Sequence, residues 1–136
     1  MNLRAVTSGG FLAIGAAIAL GGAAIAEEPI DFTDLDTLLK EKPLAPGGPD
    51  ADIVAAQHVP ASELQIVVAR KIDLHTHADS IHWIYVARGS GVFRFADKTR
   101  PVKVGDILTV PKGIVHGFET SPGSEPLVLL VVETPD

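Results

Sequence analysis

Residues 75–91 read HTHADSIHWIYVARGSG and hold three of the chain's five histidines, at 75, 77 and 82. On an extended backbone, residues i and i+2 project from one face, so His75 and His77 can reach a common point. His82 follows a short polar turn, Ala78-Asp79-Ser80, that can carry the chain into a neighbouring strand. His116 stands far off in Gly113-Ile114-Val115-His116. Strands distant in sequence commonly pair in Greek-key barrels, so His116 can join the same cluster. Imidazole suits zinc, copper, iron and nickel, and a chain without cysteine has no competing thiolate. The plain alternative for each histidine is a solvated side chain or one hydrogen-bonded in a core. The shared face of 75 and 77 and the clustering of three favour metal binding. His58, in AAQHVPAS, has no partner at a useful spacing and is read as a non-ligand.

Several elements must surround and position such a cluster. Residues 1–26 are set aside first. Met1–Arg4 is a short cationic start, Phe11–Ile25 is apolar and rich in Ala and Gly, and Ala24-Ile25-Ala26 offers a small-x-small cleavage pattern. This is the pattern of a secretory signal peptide cut after Ala26, which places the mature chain in the periplasm or outside the cell. An apolar run of about 15 residues falls short of the roughly 20 that span a bilayer, so no membrane attachment is expected after cleavage.

The mature chain, 27–136, suits one domain with one core. It loses only Arg4 from the charged residues, so its net charge is 10 − 17 = −7 with histidines neutral. That surface repels phosphate backbones and argues against a nucleic-acid partner. Without disulfides the domain relies on apolar packing, and any metal must be held by nitrogen and oxygen.

Residues 27–50 read as an N-terminal arm. Thr33 and Asp36 resemble a capping pair ahead of a short helix running to about Lys42, with Leu35, Leu38 and Leu39 on one face. Pro43, Pro46, Gly47, Gly48 and Pro49 then end regular structure. From residue 51 to 136 short β-prone runs alternate with turn residues, predicting strands near 52–58, 64–72, 81–88, 91–97, 101–104, 106–110, 114–120 and 126–133. Gly89-Ser90-Gly91 is read as a tight hairpin, and Trp83, Phe93 and Phe95 as packing residues. LQIVVA and LVLLVV are apolar on both parities and should be covered on both faces. The fold class is all-β: a small barrel preceded by an arm.

HTHADSIHWIYVARGSG resembles the first motif of the cupin superfamily, G-x5-H-x-H-x3,4-E-x6-G, at His75, His77 and Gly89. GDILTVPKGIVH resembles the second, G-x5-P-x-G-x2-H-x3-N, at Gly105, Pro111, Gly113 and His116 with unbroken spacing. The resemblance implies a double-stranded β-helix, or jelly-roll, barrel over 51–136. It also implies a homodimer, to which the arm is a natural contributor. Ala69 replaces the leading glycine, Thr120 the closing asparagine, and His82 the usual glutamate ligand. Carried over by position, the resemblance implies a divalent transition metal, Fe, Mn, Ni, Cu or Zn, held by His75, His77, His82 and His116. If His82 stands outside the shell, three histidines remain.

Four neutral imidazoles leave a divalent ion at +2, favouring anionic ligands such as enolates or carboxylates. An octahedral ion keeps two positions for substrate or dioxygen, whereas tetrahedral zinc would be closed and structural. Tyr85 and Glu119 lie at odd offsets from ligands and should face away. Asp79 and Ser80 stand in a turn that is either simply solvated or contacts the site and supports a ligand imidazole. No general base stands out, so catalytic residues stay unassigned. The function expected is a secreted metal-dependent cupin acting as a dioxygenase-like oxidoreductase on a small anionic or enolisable molecule. The alternatives are a non-catalytic metal- or ligand-binding module and a non-redox isomerase or lyase.

Overall fold

The computed structural model describes residues 32–136. The leader read over 1–26 and the start of the arm lie outside the described residues. One short helix, α1 (Leu35–Glu41), is followed by nine strands: β1 (Ala51–Val59), β2 (Ser62–Ala69), β3 (Lys71–His75), β4 (Ser80–Arg88), β5 (Ser90–Phe95), β6 (Lys98–Lys103), β7 (Ile107–Val110), β8 (His116–Thr120) and β9 (Leu127–Pro135). They form two antiparallel sheets. One has the order β1-β2-β9-β4-β7, the other β3-β8-β5-β6. This is the jelly-roll barrel expected.

Two readings of the strand connections are corrected. The run expected as one strand over 64–72 breaks at Arg70 into β2 and β3, which belong to different sheets. Asp50 O accepts from the Arg70 and Lys71 amides, and Arg70 O accepts from the Thr120 amide, so the crossing is held on both sides. The corner carries no turn signal, because neither glycine nor proline interrupts the chain between Leu64 and Ile72. Gly89-Ser90-Gly91 is likewise no hairpin: β4 and β5 do not pair, and the chain changes sheets there.

The inner faces pack into one core built from Val67, Ile84, Val86, Phe93, Phe118, Leu127, Leu129 and their neighbours. On the outer face of the five-stranded sheet, Val54, Val68, Ala87 and Val128 are covered by Leu35, Leu38, Leu39 and Leu44. The double-parity runs in β2 and β9 are thus buried on both sides, with the arm as the outer cover. A helix of seven residues is marginal alone, and this packing holds it. Its N-cap is Asp34, whose carboxylate accepts from the Thr37 amide at 3.1 Å, rather than Thr33. Arg88 ties the arm down through Asp36 at 2.8 Å, and Lys42 donates to Val54 O. Trp83, expected to pack, stands half-exposed beside Tyr85 on the same outer face. Phe93 and Phe95 do stack, with ring centroids 5.2 Å apart.

Candidate metal centre

Sheet pairing sets two residue pairs face to face. On β3 and β8, His75 stands opposite His116; on β4 and β9, His82 stands opposite Glu133. His77 enters from the β3–β4 loop and completes the cluster. The ring centroids of His77 lie 4.9 Å from His75, 3.9 Å from His82 and 5.6 Å from His116. All four predicted histidines are therefore brought together. Their donor atoms fall into two overlapping groups that could hold an ion, His75/His77/His116 and His77/His82/Glu133, with His77 in both.

Local backbone sets two of the rings. His75 Nδ1 lies 2.8 Å from Asp73 O, and His116 Nδ1 lies 2.9 Å from Ile114 O. A carbonyl only accepts, so each Nδ1 carries the proton and each Nε2 keeps its lone pair for a metal. The Nε2 atoms of His77 and His82 are buried and have no hydrogen-bond partner. Buried polar nitrogens are normally paired, so two orphans in one cluster fit a site built to receive a cation. Burial pushes the His116 imidazole down to about 4, reinforced by its histidine neighbours. Burial and then His82 and His75 also lower His77. Both favour the neutral form that ligation requires.

Glycine matters at two places around the cluster. Gly113 has φ +77°, a left-handed turn that places its amide 2.7 Å from His77 O and pins the ligand loop. A Cβ at Gly117 would come within 2.5 Å of Ile72 O, so only glycine lets β8 lie this close to β3 beside His116.

Glu133 was not singled out from sequence. Its Oε2 accepts from Ser80 Oγ at 2.7 Å and lies 3.3 Å from His82 Nε2 and 3.7 Å from His77 Nδ1. The Ser80 hydrogen bond, then the His82 contact, holds the carboxyl below its ordinary value against a raising effect of burial. The available signal was parity: Leu129, Val131 and Glu133 continue one inward-facing stripe, and an acid at its end faces the cavity. Ser80 thus supports the site, though through Glu133 and not through an imidazole. Asp79 meets it through no side-chain contact; its carbonyl accepts from the Asp136 amide. Tyr85 and Glu119 face away, Glu119 pairing with Arg94. His58 is solvated and pairs with Glu63 at 3.4 Å.

Behind the cluster lies a cavity of about 500 Å³, walled by Ile72, Ile84, Phe118, Leu129 and Val131 with the four imidazoles and Glu133 at its polar end. That is the size and character of a small-molecule site.

A family model described as "Cupin domain" matches residues 63–133, more than half of the chain. The chain is a cupin. Among solved structures, this cupin is similar to a predicted oxalate decarboxylase from Thermotoga maritima, at 26% identity and TM-score 0.50. The match covers 54% of this chain and 65% of the other, so the chain spans less than two thirds of that relative. It also resembles a Klebsiella pneumoniae protein with a double-stranded β-helix domain, at 20% identity and TM-score 0.65 over 79% and 91% of the two chains. A Thermus thermophilus protein matches at 21% identity and TM-score 0.63 over 78% and 98%. These last two show the fold alone. No curated protein matches the chain.

Two departures of this cupin from the family motifs have structural accounts. Thr120, at the asparagine position, donates its hydroxyl to Ala69 O at 2.8 Å and accepts from the Leu127 amide, tying the sheet corner to β9. Ala69, at the glycine position, is fully buried in the core, and its methyl fills space a glycine would leave.

Proposed function

We propose that this cupin is a metal-dependent oxidoreductase of the dioxygenase-like kind, acting on a small anionic or enolisable molecule held in the barrel. The observation that carries the reading is the placing of His75, His77, His82 and His116 together in the wall of a mostly apolar cavity. In this reading those four histidines hold a divalent transition ion. Such an ion supplies Lewis acidity and, if redox-active, a route for electrons to dioxygen. The chain's own part is positioning. The Asp73 and Ile114 carbonyls keep the Nε2 lone pairs of His75 and His116 available. The aliphatic and Phe118 walls exclude water and accept the hydrocarbon part of a ligand, while its charge meets the imidazole end.

A second reading, a non-redox lyase, draws support from the Thermotoga maritima relative, whose printed name is a predicted oxalate decarboxylase. One experiment separates them. Apo protein loaded in turn with Fe(II), Mn(II), Ni(II), Cu(II) and Zn(II) is given catechols, β-diketones, flavonols and oxalate. Oxygen consumption supports the first reading. Carbon dioxide release without oxygen consumption replaces it with the second, and tight metal binding with neither leaves a binding module.

We further propose that the chain is exported by the 1–26 leader, which N-terminal sequencing of the exported form checks: it should begin at Glu27. The arm's leucines are taken up by its own barrel, so the homodimer contact is assigned to the exposed strip beside them. There Trp83 and Tyr85 on β4 adjoin Ile107 on β7. Sedimentation of a Trp83→Glu variant as a monomer and of the wild type as a dimer would support it.

A further inference from the structure

We propose that Glu133 is an anionic ligand of this centre, replacing from β9 the carboxylate that the first motif lacks at His82. The inference rests on the metal reading above and adds a fifth protein group to it.

Spacing and orientation carry the proposal. Glu133 and His82 are directly opposed on adjacent strands, which fixes the carboxylate beside the imidazole whatever the side chains do. Ligand atoms about 2.0–2.2 Å from a common ion lie roughly 2.8–3.6 Å from one another, the shorter values at octahedral angles and the longer at tetrahedral ones. The 3.3 Å between His82 Nε2 and Glu133 Oε2 falls within that interval, whereas His77 Nδ1, at 3.7 Å, lies outside it, in keeping with Nε2 as that ring's free nitrogen. A simple histidine–carboxylate pair would aim the N–H at the oxygen. Here His82 Nε2 remains without a hydrogen bond although the oxygen is near. Atoms at contact distance without a hydrogen bond between them are arranged as two ligands of one cation would be. Ser80 Oγ, donating to the same Oε2 at 2.7 Å, holds the carboxylate in that orientation.

The consequence is chemical. One carboxylate lowers the charge of a centre built on a dication from +2 to +1, so the centre is a weaker Lewis acid than four imidazoles alone would make. With Glu133 beside the four histidines, the ion would keep fewer positions for an outside ligand than the histidines alone would leave.

Co(II) tests this, because its visible absorption reports coordination number and ligand type directly. Apo wild type, Glu133→Gln and Glu133→Asp are titrated with Co(II), and affinities are read by chelator competition. Loss of the ligand in Glu133→Gln should shift and reshape the bands and weaken binding by about 10–100-fold or more. Glu133→Asp keeps the charge but withdraws the oxygen, so its bands should change as well; it also serves if the glutamine variant folds poorly. Glu63→Gln, which removes a carboxylate directly opposite Glu133 but paired with His58 and Gln65, should leave the bands unchanged. Superimposable spectra for wild type and both Glu133 variants would overturn the proposal while leaving a histidine-only centre intact, even if affinity fell. Failure of the wild type to take up Co(II) would instead remove the metal reading, and this proposal with it.

Discussion

The two sheets contribute unlike halves to the centre. The β3/β8 half, His75 and His116, is set by contacts two residues back along the chain, each Nδ1 donating to a carbonyl. His116 is 2% exposed and its imidazole is held neutral by burial. The β4/β9 half, His82 and Glu133, has no such local anchor: an unpartnered nitrogen faces a carboxylate steadied by Ser80. One half is prepared for a cation before any arrives. The other is held by strand register and, on the Glu133 side, by Ser80, and leaves His82 Nε2 without a hydrogen bond. The difference teaches that affinity and charge are divided between the sheets, the first half supplying ready lone pairs and the second the adjustable charge.

If this division is correct, His116→Ala should cost more than any other single change to the histidines. Metal affinity should fall at least ~100-fold, beyond the usual effect of losing a supporting group, while His82→Ala costs about 10-fold. Chelator competition with metal quantified after dialysis measures both. Equal losses would erase the asymmetry.

Acid should act on the prepared half through His116. The unfolded chain binds a proton at its histidines near 6.5, whereas folded His116 does so only at about 4. Between those values the unfolded state takes up a proton that the folded state refuses, so apo stability falls as pH drops from about 6.5 to 4. The loss approaches about 3 kcal/mol at the acid end. His77, lowered by burial and its neighbours, and Glu133, lowered by Ser80, shift stability in the same direction. Denaturant melts of the apo protein across that interval measure it. In a His116→Phe variant the slope should flatten; an unchanged slope would assign the acid sensitivity to other groups.

Ser80→Ala should give the smallest effect. It removes one hydrogen bond to a carboxylate in a partly buried site, worth about 1–2 kcal/mol. Metal affinity should drop by a few-fold, through Glu133 alone. A Ser80→Ala/Glu133→Gln double variant should then be no weaker than Glu133→Gln. Additive losses in affinity would show that Ser80 acts on the centre by another path.

The histidines were readable from the chain because type and spacing are local properties. Two imidazoles two residues apart share a face, and the Gly-Pro-Gly-His spacing of the second motif marks a turn with a left-handed residue at Gly113. The alternation of apolar residues with turn residues equally foretold an all-β barrel, and the double-parity runs of β2 and β9 foretold burial on both faces. Less was readable where the chain passes from one sheet to the other. Nothing in LQIVVARKI marks Arg70 as the corner between sheets, and nothing in Gly89-Ser90-Gly91 separates a hairpin from a crossing.

Glu133 shows the boundary most clearly. Its inward parity was available from the sequence, but an acid at the end of an apolar strand is equally at home at a solvated barrel mouth. The residue opposite it decides between these, and the β4/β9 register that brings His82 there joins positions 51 residues apart. The sequence alone determined which side chains were fit to bind a cation, because donor atoms and local backbone contacts are carried by short stretches of chain. Only the tertiary structure decided which of them meet, because cross-strand register is fixed by burying whole apolar faces against each other, a property of no single segment.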